Sequence, residues 1–136
     1  MSLKRIAIDF GRALDQDNFS LVASLVDEAC IYELGDDWVI GPQDIAASYE
    51  KNMREGRAKL DELVLGESGI EEVSDRDDQF IIHFTDHIKH QGQSFIHRCQ
   101  QRVTVNKKLK IARIVHIDNE AESERLRDFF KRVGVQ

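Results

Sequence analysis

Between Phe80 and Asp118 apolar and polar residues alternate with period two through three successive segments separated by short polar turns. Phe80, Ile82, Phe84, Asp86 and Ile88 fall on one side of the first segment, and Ile81, His83, Thr85, His87 and Lys89 on the other. That period, with Phe, Ile, Thr and Val dominating, predicts β-strands. Gln91-Gly92 reads as a two-residue hairpin turn, after which Phe95, His97, Cys99, Gln101, Val103 and Val105 share a face. Counting back from His90 opposite Gln93 sets Asp86 against His97, Phe84 against Cys99 and Ile82 against Gln101. The apolar sides then coincide, as a correct register requires.

Upstream the period changes to three and four. Leu3, Ile6, Ala7, Phe10 and Leu14 predict an amphipathic helix over residues 2–16. Asp17-Asn18 supplies caps for a shorter helix carrying Phe19, Val22, Leu25 and Val26, which the acidic pair Asp27-Glu28 is expected to end. Residues 29–34 alternate, with Ala29, Ile31 and Glu33 on one side and Cys30, Tyr32 and Leu34 on the other. Gly35-Asp36-Asp37 turns the chain into a short strand, Trp38-Val39-Ile40. Gly41-Pro42 opens a third helix with the stripe Ile45, Tyr49, Met53 and an expected stop at Gly56. One irregular strand over residues 60–73 follows, its Gly66 and Gly69 suggesting a bulge. At the far end Asn119 and Glu122 form a capping-box pattern ahead of Leu126, Phe129, Phe130 and Val133, and Lys131-Arg132 suits the helix's negative end.

The 136 residues are read as one domain, 1–136, of α+β class. With 25 acidic residues against 19 basic ones the formal charge is −6, spread without a basic patch, so nucleic acid and anionic membranes are not expected as partners. No segment approaches the ~20 apolar residues of a membrane span, and none has the run of a signal peptide. Cys30 and Cys99 lack CxxC spacing, which predicts reduced thiols and a cytoplasmic location.

The run LVASLVDEACIYELGDDWVIGPQDIAASY resembles the nuclear transport factor 2-like superfamily, especially its ketosteroid-isomerase and SnoaL-like branches. There an acidic-acidic-Ala stretch enters the first strand and Gly-x-x-x-Ile opens the third helix; the closing strand KIARIVHID is also similar. The resemblance implies a curled antiparallel sheet forming a cone around the N-terminal helices, an internal pocket, a C-terminal helix, and a homodimer across the outer sheet face. It implies a small-molecule pocket protein: a cofactor-independent isomerase, cyclase or dehydratase acting on an apolar carbonyl compound by acid-base chemistry. The other reading is a non-catalytic dimeric binding or assembly module, its cone filled by Phe80, Ile82, Phe84, Phe95 and Val103.

By the same resemblance the general base of the isomerases falls on Glu33, against the alternative of a surface glutamate at a strand end. Gln101 falls where they carry a protonated aspartic acid, and Asp9 or Phe10 near their oxyanion-binding tyrosine; both are departures from their pattern. From the strand register alone, Asp86 and His97 form a cross-strand pair in which a carboxylate can fix the imidazole's tautomer, for proton transfer or as a structural pair. His116 points inward in the family register, where it can donate to a ligand oxygen or only pack under the final helix; another turn length would aim Arg113 inward instead. Tyr32 and Trp38 line the mouth or pack in the core, and Phe84 and Phe95 supply apolar wall. His83 and His87 are too far apart on a strand, roughly 13 Å at ~3.3 Å per residue, to share an ion, so no metal and no cofactor are expected.

Overall fold

The computed structural model describes residues 2–135. Helices α1 (Leu3–Asp15) and α2 (Phe19–Leu25) are capped by Ser2 and Asn18, whose side chains accept from the amides of Arg5 and Leu21. Strand β1 (Val26–Leu34) starts earlier than its acidic residues suggest, so Asp27-Glu28 lies inside the strand. The Asp27 carboxylate accepts from Ala29 N and Asn106 Nδ2, both at 2.9 Å, which ties β1 to a distant turn. β2 (Asp37–Ile40) then leads to α3 (Pro42–Lys59) through Gly41, whose φ of +90° suits glycine. Helix α3 passes through Gly56 rather than stopping there. A Cβ on Gly56 would lie 2.5 Å from Leu63 Cδ2, so this glycine lets the following strand fold back closely against the helix.

The irregular segment is two strands, β3 (Glu62–Leu65) and β4 (Gly69–Val73), paired with successive stretches of the long β5 (Arg76–His90). β6 (Gln93–Val105) returns through Gln91-Gly92, both at positive φ (52° and 75°), in the register read from the sequence: Asp86 opposite His97 and Ile82 opposite Gln101. β7 (Ile111–Ile117) and α4 (Glu120–Val133) complete the chain.

The sheet runs β2-β1-β7-β6-β5-β3, with β4 also on β5, and does not close. It is mixed rather than wholly antiparallel, because β1 and β7 pair in parallel. Alternation reports which face a residue takes but not its strand's neighbour, so only the folded chain reveals this junction.

The sheet curls around α1, α2 and α3 as an α+β cone. Phe10, Ile45, Ile82, Val103 and Ile114 are fully buried in its main core, each side chain contributing about 1.5–3 kcal/mol by leaving water. A second cluster joins Leu60, Ile88, Phe129 and Val133, so α4 covers the far end of β5 and β6. No helix among the described residues is long and apolar enough to cross a membrane.

Candidate functional site

Between Ile82 of the first cluster and Ile88 of the second, the inner face of β5 carries Phe84 and Asp86, and there the core is not filled. A cavity of about 190 Å³ lies over them, lined also by Leu14 of α1, Tyr32 and Leu34 of β1, Tyr49, Asn52 and Met53 of α3, Leu65, Cys99, Gln101 and His116. Larger hollows lie elsewhere, among them one of about 660 Å³ beside Ser2 and Arg76 and one of about 410 Å³ between Phe84, Arg98 and Glu122. The smaller cavity is the candidate site because buried polar groups converge on it.

Gln101 is the one polar side chain in the core among the described residues, 4 % exposed. It is held on three sides. Tyr49 Oη donates to Gln101 Oε1 at 2.6 Å, Gln101 Nε2 donates to Tyr32 Oη at 2.8 Å, and Nε2 lies 3.5 Å from His116 Nδ1. The two phenol rings stack at 4.9 Å with 12° between planes, and Phe10 meets Tyr49 edge-on at 6.0 Å. Burial pushes the Tyr32 hydroxyl up to about 12 and Tyr49 upward as well, so both phenols stay protonated donors at neutral pH. Burial pushes His116 down, favouring neutral imidazole, although Asp118 pulls it the other way. In the sequence Tyr49 is legible only as part of the α3 stripe. Its signal is an i, i+4 companion of Ile45 that carries a hydroxyl needing a partner.

Asp86 stands on the same wall, beyond Cys99. Burial raises its carboxyl above 3.8, the charges of His97 and His87 oppose this, and Asp15 at the end of α1 adds to it. Asp15 is itself raised by burial; its Oδ2 accepts from Ser68 N at 2.8 Å while Oδ1 is buried without a partner. A desolvated carboxyl with a raised pKa is a stronger base than an ordinary carboxylate and can both take and return a proton. Cys30 and Cys99 are free, and burial pushes both thiols up to about 12, so neither is a thiolate nucleophile at pH 7.

The other expected site residues lie elsewhere. Glu33 faces outward and pairs with Arg113, so it does not reach the cavity, and Trp38, opposite Glu33 in the register, is 67 % exposed. Tyr32 and Glu33 are adjacent on one strand and point to opposite faces; only Tyr32 can line the cone. Phe95 is also outside the cavity, stacked on Phe129 at 4.8 Å beneath α4 with Arg125 over its ring at 4.7 Å. Arg113 is exposed, whereas Gln101 opposite His116 sets the latter inward.

His97 stands opposite Asp86 in the ladder, but its Nδ1–H donates to Glu122 Oε2 of α4 at 3.1 Å, and so does the Arg98 amide. Glu122 thus completes half a capping box: Asn119 Oδ1 accepts from its amide, while its carboxylate clamps α4 to β6. Burial pushes the Glu122 carboxyl up, but the Arg98 amide, Arg125 and His97 together hold it below 4.5. A carboxyl depressed in the folded state adds stability above its unfolded pKa, and this is lost as pH falls through the folded value. Glu122→Gln is expected to flatten the acid side of the stability curve below about pH 5, read by thermal unfolding. An unchanged acid slope would show that the clamp carries no such stability. His83 pairs with Glu71 at 2.9 Å and His90 Nδ1 accepts from Asp61 N at 3.1 Å, away from each other. Among the described residues no group of three His, Cys, Asp or Glu side chains is placed to hold a metal.

No protein-family model matches the sequence, and no curated protein does. Solved structures match the fold across nearly the whole chain. One is the epoxide hydrolase/cyclase-like enzyme SalBIII, which has a role in pyran ring formation in the polyether salinomycin, at 11% identity and TM-score 0.66 over 88% of this chain and 92% of that one. The chain has the nuclear transport factor 2-like fold. A Mycobacterium tuberculosis epoxide hydrolase of the LEH-like kind shares it at 14% identity and TM-score 0.62, over 89% of this chain and 85% of that one. So does a protein of the same organism in complex with estradiol-17beta-hemisuccinate, at 14% identity and TM-score 0.62, over 90% and 98% of the two chains. In the nuclear transport factor 2-like cone of this chain, α4 covers the far end of β5 and β6, and the cavity keeps an edge at the exposed Asn52.

Proposed function

We propose that the protein binds a compact, largely apolar molecule inside the cone and moves a proton on it with Asp86, in the manner of a SnoaL-like isomerase, cyclase or lyase. The observation that carries this reading is a desolvated carboxyl in the wall of a mostly apolar cavity that also holds a fixed cluster of donors. Asp86 takes the part that Glu33 cannot reach. As base it would remove a proton from carbon next to a carbonyl, then return it; such a group contributes ~10²–10⁴-fold in rate. The donor cluster would hold the oxygen on which charge develops. This chemistry uses side chains alone. Structures of the same fold that bear the names epoxide hydrolase and cyclase-like enzyme, and one holding a steroid ester, support a pocket-centred role. The cavity is below the ~300 Å³ typical for drug-sized ligands, which favours an acyclic or monocyclic compound.

The test is proton exchange of small ketones in deuterated buffer followed by NMR. Exchange accelerated by the wild type and lost in Asp86→Asn supports the reading. Equal acceleration by both proteins removes Asp86 as the base.

The proposed setting is the cytoplasm, in keeping with two free thiols. The proposed assembly is a homodimer through the outer sheet face, supported by the exposed apolar side chains Trp38, Ile40 and Ile96 beside Arg98. A light-scattering mass of one chain at micromolar concentration would exclude that dimer.

A further inference from the structure

The polar cluster has a direction, and its distances define it. The 2.6 Å contact between Tyr49 and Gln101 fits O–H···O, whose mode is about 2.7–2.8 Å, and is short for N–H···O. The 2.8 Å contact to Tyr32 fits N–H···O. Tyr49 therefore donates, the amide oxygen faces α3, and the amide NH₂ faces Tyr32 and His116. With one N–H on Tyr32, the other is aimed at His116 Nδ1, 3.5 Å away. An Nδ1 that accepts there leaves the ring proton on Nε2. No other side chain among the described residues hydrogen-bonds His116, and His116 lines the cavity.

We infer that Gln101 is a positioning residue: held by Tyr49, it keeps His116 as the Nε2–H tautomer and so presents one hydrogen-bond donor to the oxygen of a neutral ligand. The ligand class follows from the rest of the lining. Neither Lys nor Arg lines the cavity and the Asp86 carboxyl does, so an anionic ligand would be desolvated beside a like charge with no cation to offset it. A ketone, aldehyde or ether oxygen accepts one hydrogen bond without that cost. Burial of His116, which favours neutral imidazole, agrees with this assignment. Asp86 and His116 stand on strands either side of β6, opposite His97 and Gln101 respectively, so they meet different ends of a bound molecule. The ligand class rests on the proposed pocket function; the tautomer does not.

The experiment is a long-range ¹H–¹⁵N correlation spectrum of His116 in the ligand-free protein at pH 7. A pyridine-type shift at Nδ1 with a pyrrole-type shift at Nε2 is expected, and the reverse pattern overturns the proposal. In Gln101→Glu a carboxylate faces Nδ1, which must now carry a proton; the spectrum should change to the Nδ1–H or doubly protonated form, and an unchanged spectrum counts against positioning by Gln101. If that variant does not fold, Gln101→Met, which offers Nδ1 no donor, takes its place: a shifted Nδ1 resonance is expected, and an unchanged spectrum overturns positioning by Gln101. The ligand class is read by titrating cyclohexanone and, separately, cyclohexanecarboxylate. A larger perturbation of His116 Nε2–H by the ketone is expected; equal effects, the reverse order, or no effect from either overturns the class while leaving the tautomer result standing. Retained ketone exchange in Asp86→Asn would instead remove the proton-transfer reading and leave the His116 assignment intact.

Discussion

Asp86→Asn is expected to lower turnover ~10²–10⁴-fold on any compound whose proton exchange the wild type accelerates, while making the folded protein more stable at pH 7. The two effects share a cause. Burial lifts the folded-state carboxyl above 3.8, against the opposing charges of His97 and His87 and with support from Asp15. A carboxyl raised in the folded state binds its proton more tightly there than in the unfolded chain. Stability is thus fully present below the unfolded pKa, declines as pH rises from about 4 to the folded value, and stays lowered at neutral pH. Asparagine cannot ionise and removes that decline. Asp15, raised in the same direction, keeps part of the slope in the variant. The measurement is urea unfolding at several pH values from about 4 to 8, beside the exchange assay. A variant that loses activity and is also less stable at pH 7 would show Asp86 to be a structural group.

Gln101→Leu should have the largest effect on folding of any single change at the site. Leucine matches the shape closely enough to avoid a void, but it leaves the Tyr49 and Tyr32 hydroxyls without their amide partner in a place water hardly reaches. Stranding a buried polar group costs roughly 1–3 kcal/mol, so the Tyr49 donor and the Tyr32 acceptor bring the expected loss to about 2–6 kcal/mol, read as a lower urea midpoint at unchanged slope. The decisive companion is the triple variant Gln101→Leu, Tyr32→Phe, Tyr49→Phe. Removing every member of the network leaves nothing unsatisfied, so most of the loss should return. If the triple variant is less stable than the single one, aromatic packing or water rather than amide pairing holds this part of the core. The outcome also bears on why a glutamine is kept there: a stable, network-free core would point to the site rather than to folding as the reason for its presence.

The sheet register was legible because alternation and a two-residue turn leave one solution: once Gln91-Gly92 turns the chain, every partner from His90 to Phe80 follows. The same logic puts Phe84, Asp86 and Gln101 on the inner wall, whereas the alternation of residues 29–34 leaves open which face of β1 turns inward. Glu33 shows what happens when resemblance is followed against alternation, since a residue next to Tyr32 cannot share its face. Phe95 and His97 share the right face, but α4 lies over that end of the sheet and occupies both. No local pattern says where a terminal helix will rest. Glu122 read as a capping glutamate for the same reason: its spacing from Asn119 is local, whereas His97 and Arg98 are partners across the fold.

By itself, then, the sequence determined the helices and the long hairpin, with that hairpin's faces and pairing, because side-chain direction repeats with the backbone's own period and needs no distant partner. The split of residues 60–73 into two strands and the inward face of β1 were not legible in it. Tertiary structure alone decided the parallel junction of β1 with β7, the covering of Phe95 by α4, and the meeting of Tyr49 with Gln101, 52 residues away. Those depend on how curved surfaces close on one another, and burial there changes the chemistry of Asp86, Tyr32 and His116 after the chain has folded.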